Sequence, residues 1–158
     1  MVTFRPYIPE DRAWVIATNL HFYRTAHDFD ASFSDALVTA LDHLDTERAE
    51  TTSTYLIAEA QEGTVGCIFL SAESESIGRI RLFFLAEGFR GRGIGRQALQ
   101  MALTEGRKSG LKLIRVSTFD CHPEACRLYS LLGFTQIAAT PLSAFGRNMR
   151  QLDFELAY

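Results

Sequence analysis

Residues 82–96 read LFFLAEGFRGRGIGR, and this stretch decides the fold. Its first half is an apolar run typical of a buried strand, and its second half is a glycine- and arginine-rich turn that leads into a helical pattern. The first turn of a helix presents unpaired backbone N–H groups and the positive end of the helix dipole, which together bind anions. Glycines let a ligand approach that backbone closely. The stretch therefore predicts a phosphate-binding turn between a strand and a helix.

The glycine spacing in this turn excludes two nucleotide-binding motifs. A dinucleotide fingerprint, G-x-G-x-x-G, needs a third glycine where Arg96 stands. A P-loop needs Lys and then Ser or Thr after Gly93, where Ile94 and Gly95 stand. Arginines in the turn can add charge-assisted hydrogen bonds to an anion. The predicted cofactor-binding residues of the turn are Arg90, Gly91, Arg92, Gly93, Ile94, Gly95 and Arg96.

The rest of the chain predicts an α+β fold around this turn. Two helices come early, and a long helix over about residues 93–108 ends before Gly110, a residue type favoured after a helix C-terminus. A shorter helix begins at Pro123. The predicted strands cover residues 3–7, 55–58, 65–70, 80–85, 111–116, 135–138 and 149–154. The order is β-α-α-β-β-β-α-β-α-β-β, with an antiparallel meander, one parallel element across the long helix, and a single domain over residues 1–158.

Composition narrows the classes of function. The net charge of −3 and the 47% of apolar residues fit an ordinary globular protein and argue against a nucleic-acid-binding one. The N-terminus lacks a signal-peptide pattern, and no apolar run reaches the roughly 20 residues that span a bilayer, so no membrane partner is predicted. Three cysteines without a C-x-x-C pair predict reduced thiols in the cytoplasm. The four histidines have no metal-binding spacing, so no metal site is predicted.

The turn resembles the acyl-CoA motif R/Q-x-x-G-x-G/A of the GNAT N-acetyltransferases, through Arg90, Gly93 and Gly95. Residues 125–134, ACRLYSLLGF, resemble the A-x-x-L/F-Y-x-x-x-G-F signature of the same family. A helix and a strand separate the two motifs, as in the family, so the resemblance covers almost the whole chain. It implies the GNAT fold, a mostly antiparallel mixed sheet flanked by helices. It also implies a homodimer, and acetyl-CoA as co-substrate for acetylation of a primary amine on a small molecule or amino acid.

The resemblance further implies roles for residues around the thioester. Tyr129 would act as the general acid that protonates the departing CoA thiolate, the alternative being a core aromatic with a hydrogen-bonded hydroxyl. Backbone amides near Leu85 and Ala86 would hold the pantetheine arm. His122 stands where the family often has Asn. It either caps the following helix, or contacts the pantetheine or accepts a proton.

The acceptor site follows from the same resemblance, because this fold places acceptor specificity in the first two helices and the late loop. The candidates at the helix junction and in the late loop are His21, Tyr23, Phe29, Asp30, Phe33, Phe145 and Arg147, of which His21, Tyr23, Phe29 and Phe145 are the predicted substrate-binding residues. Residues 23–33, 80–85 and 143–146 are also similar to the acetyltransferase half of MarR–GNAT fusion proteins. The general base stays open between a water chain and four side chains: Glu73, Glu75, Asp30 and His21.

Three classes of function stay open at this point. The paired motifs favour an N-acetyltransferase with a small amine acceptor, or one that acts on protein lysines or N-termini. A catalytically silent acyl-CoA-binding or sensor domain would bind the co-substrate without acceptor-dependent release of CoA. An interaction module without a CoA site would leave the glycine-rich turn as a purely structural feature.

Overall fold

The fold is an eight-stranded mixed sheet between two layers of helices, seen in a computed structural model that describes residues 1–47 and 52–158. Its strands are β1 (Thr3–Pro6), β2 (Thr54–Ala60), β3 (Gly63–Ala72), β4 (Ile77–Ile80), β5 (Phe84–Leu85), β6 (Leu113–Phe119), β7 (Thr135–Ala144) and β8 (Arg147–Ala157). Its α-helices are α1 (Arg12–His27), α2 (Ser32–Glu47), α3 (Ile94–Lys108) and α4 (Pro123–Leu131). The predicted fold class is confirmed. Within the described ranges, no helix is both long and apolar enough to cross a membrane.

The strand order across the sheet is β1-β2-β3-β4-β6-β8-β7, and β5 is a second partner of β3 beyond β4. Among the described strands, every pairing is antiparallel except that of β4 with β6, which α3 connects. The predicted meander and the single parallel element are therefore confirmed. The last two strands are longer than predicted and form a hairpin whose turn residues, Phe145 and Gly146, have φ values of 56° and 76°.

The sheet opens between β5 and β6 because of a β-bulge. Ile80 of β4 pairs with Leu70 of β3. Phe84 of β5 pairs with Cys67 of β3, so the partner strand has advanced four residues where β3 has advanced three. The pairing of β4 with β6 ends at Ile80, after which β6 continues beside β8 alone and β5 beside β3 alone. The predicted continuous strand over residues 80–85 is wrong, since one extra residue bends a strand and interrupts its pairing.

Side chains alternate between the two faces of the sheet and build two cores. On one face, Ile68 and Leu70 share a core with α3, and Tyr129 of α4 joins it. On the other face, Cys67 and Phe69 share a core with α1 and α2. The gap between β5 and β6 connects the two faces. A ligand bound along α3 can therefore meet a ligand bound beneath α1 and α2.

The hairpin of β7 and β8 docks onto the junction of α1 and α2. The backbone N–H of Asp30 donates to the Phe145 carbonyl at 2.9 Å, and Nη1 of Arg147 donates to the His27 carbonyl at 2.5 Å. The Asp30 carboxylate accepts hydrogen bonds from the backbone N–H and the hydroxyl of Ser32, the first residue of α2. These contacts hold the tip of the hairpin against the two N-terminal helices.

Candidate active site

A cleft of about 1060 Å³ runs through the gap between β5 and β6. Its walls include residues 81–85 on one side of the gap and residues 116–119 on the other. One end reaches the first turn of α3, and the other passes beneath α2, where Arg79 and Arg81 line it. Small-molecule sites typically enclose about 300–1,000 Å³, so this cleft has room for a large ligand or for two ligands that meet.

The end of the cleft at α3 has the geometry of an anion site. Gly91 and Gly93 adopt φ values of 74° and 79°, which residues with a side chain rarely tolerate. Gly93 is the N-cap of α3 and has no side chain to offer, so the first N–H groups of the helix have no capping partner. Five of the seven predicted turn residues line this end: Arg90, Gly91, Gly93, Gly95 and Arg96. Free N–H groups, a helix dipole and two arginines suit a phosphate.

The other two predicted turn residues lie outside the cleft wall. The guanidinium of Arg92 lies 5.4 Å from the ring centroid of Phe89, and the side chain is exposed. Ile94 is 9% exposed and packs in the core beneath the turn. Their side chains shape the turn from outside, so we expect any ligand contact at these two positions to come from the backbone.

Arg90 ties the turn to the end of β5. Its Nε donates to the Leu85 carbonyl at 2.7 Å, and its guanidinium lies 4.7 Å from the ring centroid of Phe22. The amide of Ala86 donates to the Val65 carbonyl at 2.8 Å, because this end of β5 keeps its pairing with β3. That amide is therefore not free to hold a pantetheine arm, contrary to the sequence prediction. Leu85 does line the cleft.

Tyr129 closes the cleft from the side of α4. It is 3% exposed, and its ring centroid lies 5.5 Å from that of Phe134 and 5.6 Å from that of Phe154. Its hydroxyl has no hydrogen-bond partner within residues 1–47 and 52–158. Burial raises the pKa of this hydroxyl, so it stays protonated at neutral pH. A core tyrosine with a satisfied hydroxyl, the alternative interpretation, does not describe this arrangement.

His122 and Tyr23 form a polar pair in the wall of the cleft. The Tyr23 hydroxyl lies 2.8 Å from His122 Nε2. Burial, with further contributions from His27 and Arg90, lowers the pKa of His122 to about 4, so the ring is neutral at pH 7. His122 is the N-cap residue of α4 by position, yet its side chain makes no capping hydrogen bond. The structure therefore contradicts the capping role that the sequence left open.

His122 also belongs to a cluster with His27 and Cys121 that the sequence spacing does not predict. His27, Cys121 and His122 have ligand atoms within 4.8 Å of one another, because α1 packs against the segment between β6 and α4. Burial, Arg147 and Arg90 lower the pKa of His27. Two guanidinium groups that act on the same ring also repel a divalent cation, so we assign no metal site to this cluster.

Comparison with protein families gives a match that decides the assignment: the family described as Acetyltransferase (GNAT) family matches residues 19–134. The protein belongs to the GNAT acetyltransferase family. The matched range contains the glycine- and arginine-rich turn of this GNAT protein, the gap in its sheet and Tyr129. No curated protein matches the sequence significantly.

Solved GNAT structures share the fold along nearly the whole chain. The protein yncA of Salmonella typhimurium, whose structure contains its cofactor acetyl-CoA, is 18% identical with a TM-score of 0.79, over 99% of this chain and 93% of its own. A GNAT acetyltransferase of Staphylococcus aureus Mu50 is 16% identical with a TM-score of 0.81, over 99% of both chains. The ribosomal-protein-alanine N-acetyltransferase of Brucella melitensis is 16% identical with a TM-score of 0.79, over 99% of both chains. At these identities the similarity shows the fold.

The predicted acceptor residues of the GNAT protein differ in their position relative to the cleft. Tyr23 and Phe145 line the cleft. Phe29 is 5% exposed and stands behind them, with its ring centroid 4.8 Å from that of Tyr23 and 5.1 Å from that of Phe145. His21 is exposed and does not line the cleft, because the helical period turns Phe22 and Tyr23 inward and His21 outward.

None of the four side chains predicted as general bases lines the cleft in the described part of the chain. Glu73 and Asp30 are engaged by an arginine and by the cap of α2, and Glu75 and His21 are exposed. The acidic side chain in the cleft wall is instead Glu124, exposed at the start of α4. Of the predicted alternatives, a water chain is the one that this geometry favours.

Several residues reach the cleft that sequence reasoning missed. They are Phe22, His27, Arg79, Arg81 and Phe119, whereas Phe33 was among the predicted pocket residues and does line the cleft. Alternate positions along an extended segment share a face, and this signal could have paired Arg79 with Arg81. Which face of the sheet these two arginines occupy depends on the strand register, and local periodicity does not give that register.

Proposed function

We propose that this GNAT acetyltransferase moves the acetyl group of acetyl-CoA to the primary amine of a small molecule or amino acid. The observation that carries the proposal is the continuous cleft, which extends from the glycine-rich turn at α3 past Tyr129 to the chamber beneath α1 and α2. A long phosphate-bearing ligand can lie on the α3 side and present its thioester in the gap. An amine can reach the same point from the other face of the sheet.

The anion turn supplies the contacts that the phosphates of CoA need. The N–H groups of Ile94, Gly95 and Arg96 belong to the first turn of α3 and have no intrahelical partner. The side chains of Arg90 and Arg96 line the same end and add charge-assisted hydrogen bonds. Further along the cleft, Leu85 and His122 would contact the pantetheine arm.

The reaction forms a C–N bond and breaks the C–S bond of the thioester. The attacking nitrogen releases one proton and the departing sulfur gains one, so the products are an acetamide and the CoA thiol. In water the pKa is about 10.4 for an alkyl amine and about 8.5 for a thiol, so the sulfur needs a donor while its negative charge develops. We assign that role to Tyr129, whose hydroxyl gives its proton to the sulfur and is reprotonated through water.

Within the described ranges, the carboxylate in the cleft wall is Glu124, which is exposed at the start of α4, and we assign the amine no carboxylate base. His122, with its pKa lowered to about 4 by burial, His27 and Arg90, holds a proton too weakly to deprotonate an ammonium group. The amine therefore binds in its neutral form, and its nitrogen releases a proton to water after the attack. The His122–Tyr23 pair can orient that water, since both side chains stay neutral and polar.

The first experiment is thermal unfolding of the protein with saturating acetyl-CoA, with free CoA, and with ATP as the control. A ligand at a hundredfold over its Kd adds about 2.7 kcal/mol, or roughly 5–10 °C for a domain of this size. A shift with both CoA compounds and none with ATP supports the co-substrate, and amine-dependent thiol release supports the transfer. Binding without release would indicate a sensor domain. Acetylation of peptides alone would replace the small-molecule acceptor.

The homodimer, the cytoplasmic location and the likeness to MarR–GNAT fusions stay predictions from the sequence. The three cysteines are unpaired in the structure, which is compatible with a reducing compartment. Size-exclusion chromatography with light scattering would give the oligomeric state directly.

A further inference from the structure

The cleft is cationic, although the protein has a net charge of −3. Over the part of the chain that the structure describes, the charged groups in its wall are four arginines and one acid: Arg79, Arg81, Arg90, Arg96 and Glu124. Arg90 and Arg96 stand at the anion turn, where the phosphates of the co-substrate account for them. Arg79 and Arg81 lie elsewhere and need another explanation.

Arg79 and Arg81 lie on the sheet face opposite α3. Leu70 and its partner Ile80 belong to the core beneath α3, so the adjacent pair, Ser71 and Arg79, points the other way. Nε of Arg81 donates to Ser71 Oγ at 3.3 Å, which places Arg81 on that face too. This is the face covered by α1 and α2, from which the amine must approach the gap.

Among the three arginines that share Glu73, Arg81 is the least neutralised. Glu73 accepts a hydrogen bond from Arg79 and lies 3.6 Å from Nη1 of Arg115, which has a second partner in Glu155 at 3.2 Å. Arg81 has one ion-pair partner in the described ranges, the same Glu73, at 3.8 Å from its Nη2. Burial and then the charge of Arg79 lower the pKa of Arg81, while Glu73 and Glu47 act in the opposite direction.

We propose that Arg81 binds a carboxylate of the acceptor, with Arg79 beside it, so that the substrate is an amine that also carries an acidic group. This inference rests on the proposed function, since it names the class of its acceptor. A guanidinium donates two parallel hydrogen bonds to one carboxylate. The ligand would thus complete the charge balance that the shared Glu73 leaves open.

The rest of this half of the cleft restricts the acceptor further. Aromatic side chains line it, among them Phe33, Phe119 and Phe145. They favour an apolar body on the same molecule. The arginines repel a second positive charge, so polyamines and lysine-rich peptides are unsuitable acceptors.

The test compares amines that differ only by a carboxylate, with saturating acetyl-CoA and thiol release as the readout. The pairs are L-phenylalanine with 2-phenylethylamine and 4-aminobutyrate with butylamine, and spermidine represents the polycations. We expect kcat/KM of the wild-type protein to favour the acidic member of a pair by about 10- to 100-fold, the effect of one charged hydrogen-bonded contact.

Two variants connect this preference to Arg81. Arg81→Gln should lower kcat/KM for the acidic amines to the level of their partners and leave the carboxylate-free amines within about twofold. Arg115→Gln is the matched control, because Arg115 shares Glu73 but does not line the cleft, and it should keep the preference. The thermal shift with acetyl-CoA should be the same in all three proteins, which separates acceptor recognition from folding and co-substrate binding.

A wild-type protein that prefers spermidine or the carboxylate-free amines would overturn the inference without any variant. An Arg81→Gln protein that loses both members of a pair equally would do the same. If acetyl-CoA binds but no amine causes thiol release, the proposed transfer is refuted. The binding of acetylated products then tests the proposed carboxylate site at Arg81 by itself. Calorimetry on the CoA complex would then compare N-acetylphenylalanine with N-acetyl-2-phenylethylamine. Equal affinities refute the site, and a preference that Arg81→Gln abolishes supports it.

Discussion

The Tyr23 hydroxyl lies 2.8 Å from Nε2 of His122 and so joins α1 to the start of α4 across the cleft. Burial raises the pKa of Tyr23 and, with His27 and Arg90, lowers that of His122 to about 4, so both side chains are neutral near pH 7. The ring of Phe22 stacks on His122 at a centroid distance of 6.2 Å. The pair is thus a fixed, uncharged polar point in a largely aromatic wall.

Protonation of His122 should make the protein less stable in acid. The pKa of His122 falls from 6.5 to about 4 on folding, so between those pH values the unfolded chain binds more protons than the folded one. The free energy of unfolding should therefore decrease as the pH drops through this window, by at most about 3 kcal/mol at 1.36 kcal/mol per pKa unit. His27 shifts in the same direction and adds to the slope.

Urea unfolding at several pH values measures this slope. His122→Asn should flatten it while keeping a polar group beside Tyr23. His21→Asn, on the exposed side of α1, is the control and should retain the wild-type slope. Parallel curves for the wild type and His122→Asn would contradict the shift.

Substitutions at three glycines near the anion turn distinguish the effect of backbone strain on stability from the effect of ligand contact on acetyl-CoA binding. Gly93→Ala should cost about 1–2 kcal/mol of stability, because its positive φ suits only glycine. A Cβ on Gly95 would lie 3.7 Å from Phe83 Cζ and 3.8 Å from Leu128 Cδ2, which are ordinary contacts. Gly95→Asp should therefore fold normally and yet bind acetyl-CoA at least about tenfold more weakly, since its carboxylate would repel phosphates at the first turn of α3.

Thermal unfolding with and without acetyl-CoA measures both effects of these glycine variants. Gly88→Ala is the control, because Gly88 is exposed, has no positive φ and has no atom within 4 Å of an added Cβ. It should change neither stability nor binding. Full acetyl-CoA affinity in Gly95→Asp would show that the phosphates bind elsewhere.

Loss of the Tyr129 hydroxyl should slow turnover without unfolding the protein. Tyr129→Phe removes the proposed proton donor, which typically supplies about 10²- to 10⁴-fold in rate, and breaks no hydrogen bond within the described ranges. Thiol release should fall by that factor while the acetyl-CoA thermal shift stays. Tyr158→Phe, whose hydroxyl donates to the Leu103 carbonyl far from the cleft, should keep full activity. Unchanged turnover in Tyr129→Phe would remove the role.

The dependence of the rate on pH should follow the pKa of the acceptor amine. Because no described carboxylate in the gap serves as a base and His122 is neutral, kcat/KM should rise about tenfold per pH unit until the amine itself is deprotonated. Two acceptors whose amine pKa values differ by about one unit should reach their plateaus about one pH unit apart. A common plateau below pH 7 would instead reveal a base on the protein.

Local signals were enough to predict the anion turn. Gly91 and Gly93 need positive φ, and the helix after them is strongly periodic, so both features are written in a few neighbouring residues. The strand before the turn was predicted as continuous, because a bulge adds one residue without changing the apolar character of the run. Only the pairing with β3 reveals that Ile80 and Phe84 are out of step.

The acceptor half of the site depends on contacts between distant segments and was predicted only in part. Tyr23 and Phe145 were found through the resemblance, but His27 meets His122 only after α1 packs against the end of β6. Arg81 lies in the cleft because of the bulge and the register of the sheet. His21 faces solvent because of the rotational orientation of α1, and the short apolar pattern in this part of the sequence does not define that orientation.

Because the chamber depends on the hairpin of β7 and β8, the two proposed ligand sites should form at different times during synthesis. The anion turn is complete once α3 has emerged, since it is built from consecutive residues. The chamber beneath α1 and α2 needs Phe145 and Arg147, which reach back to Asp30 and His27 from near the end of the chain. A nascent chain on the ribosome can therefore form the turn that we propose for the donor phosphates well before it can form the chamber that we propose for the acceptor.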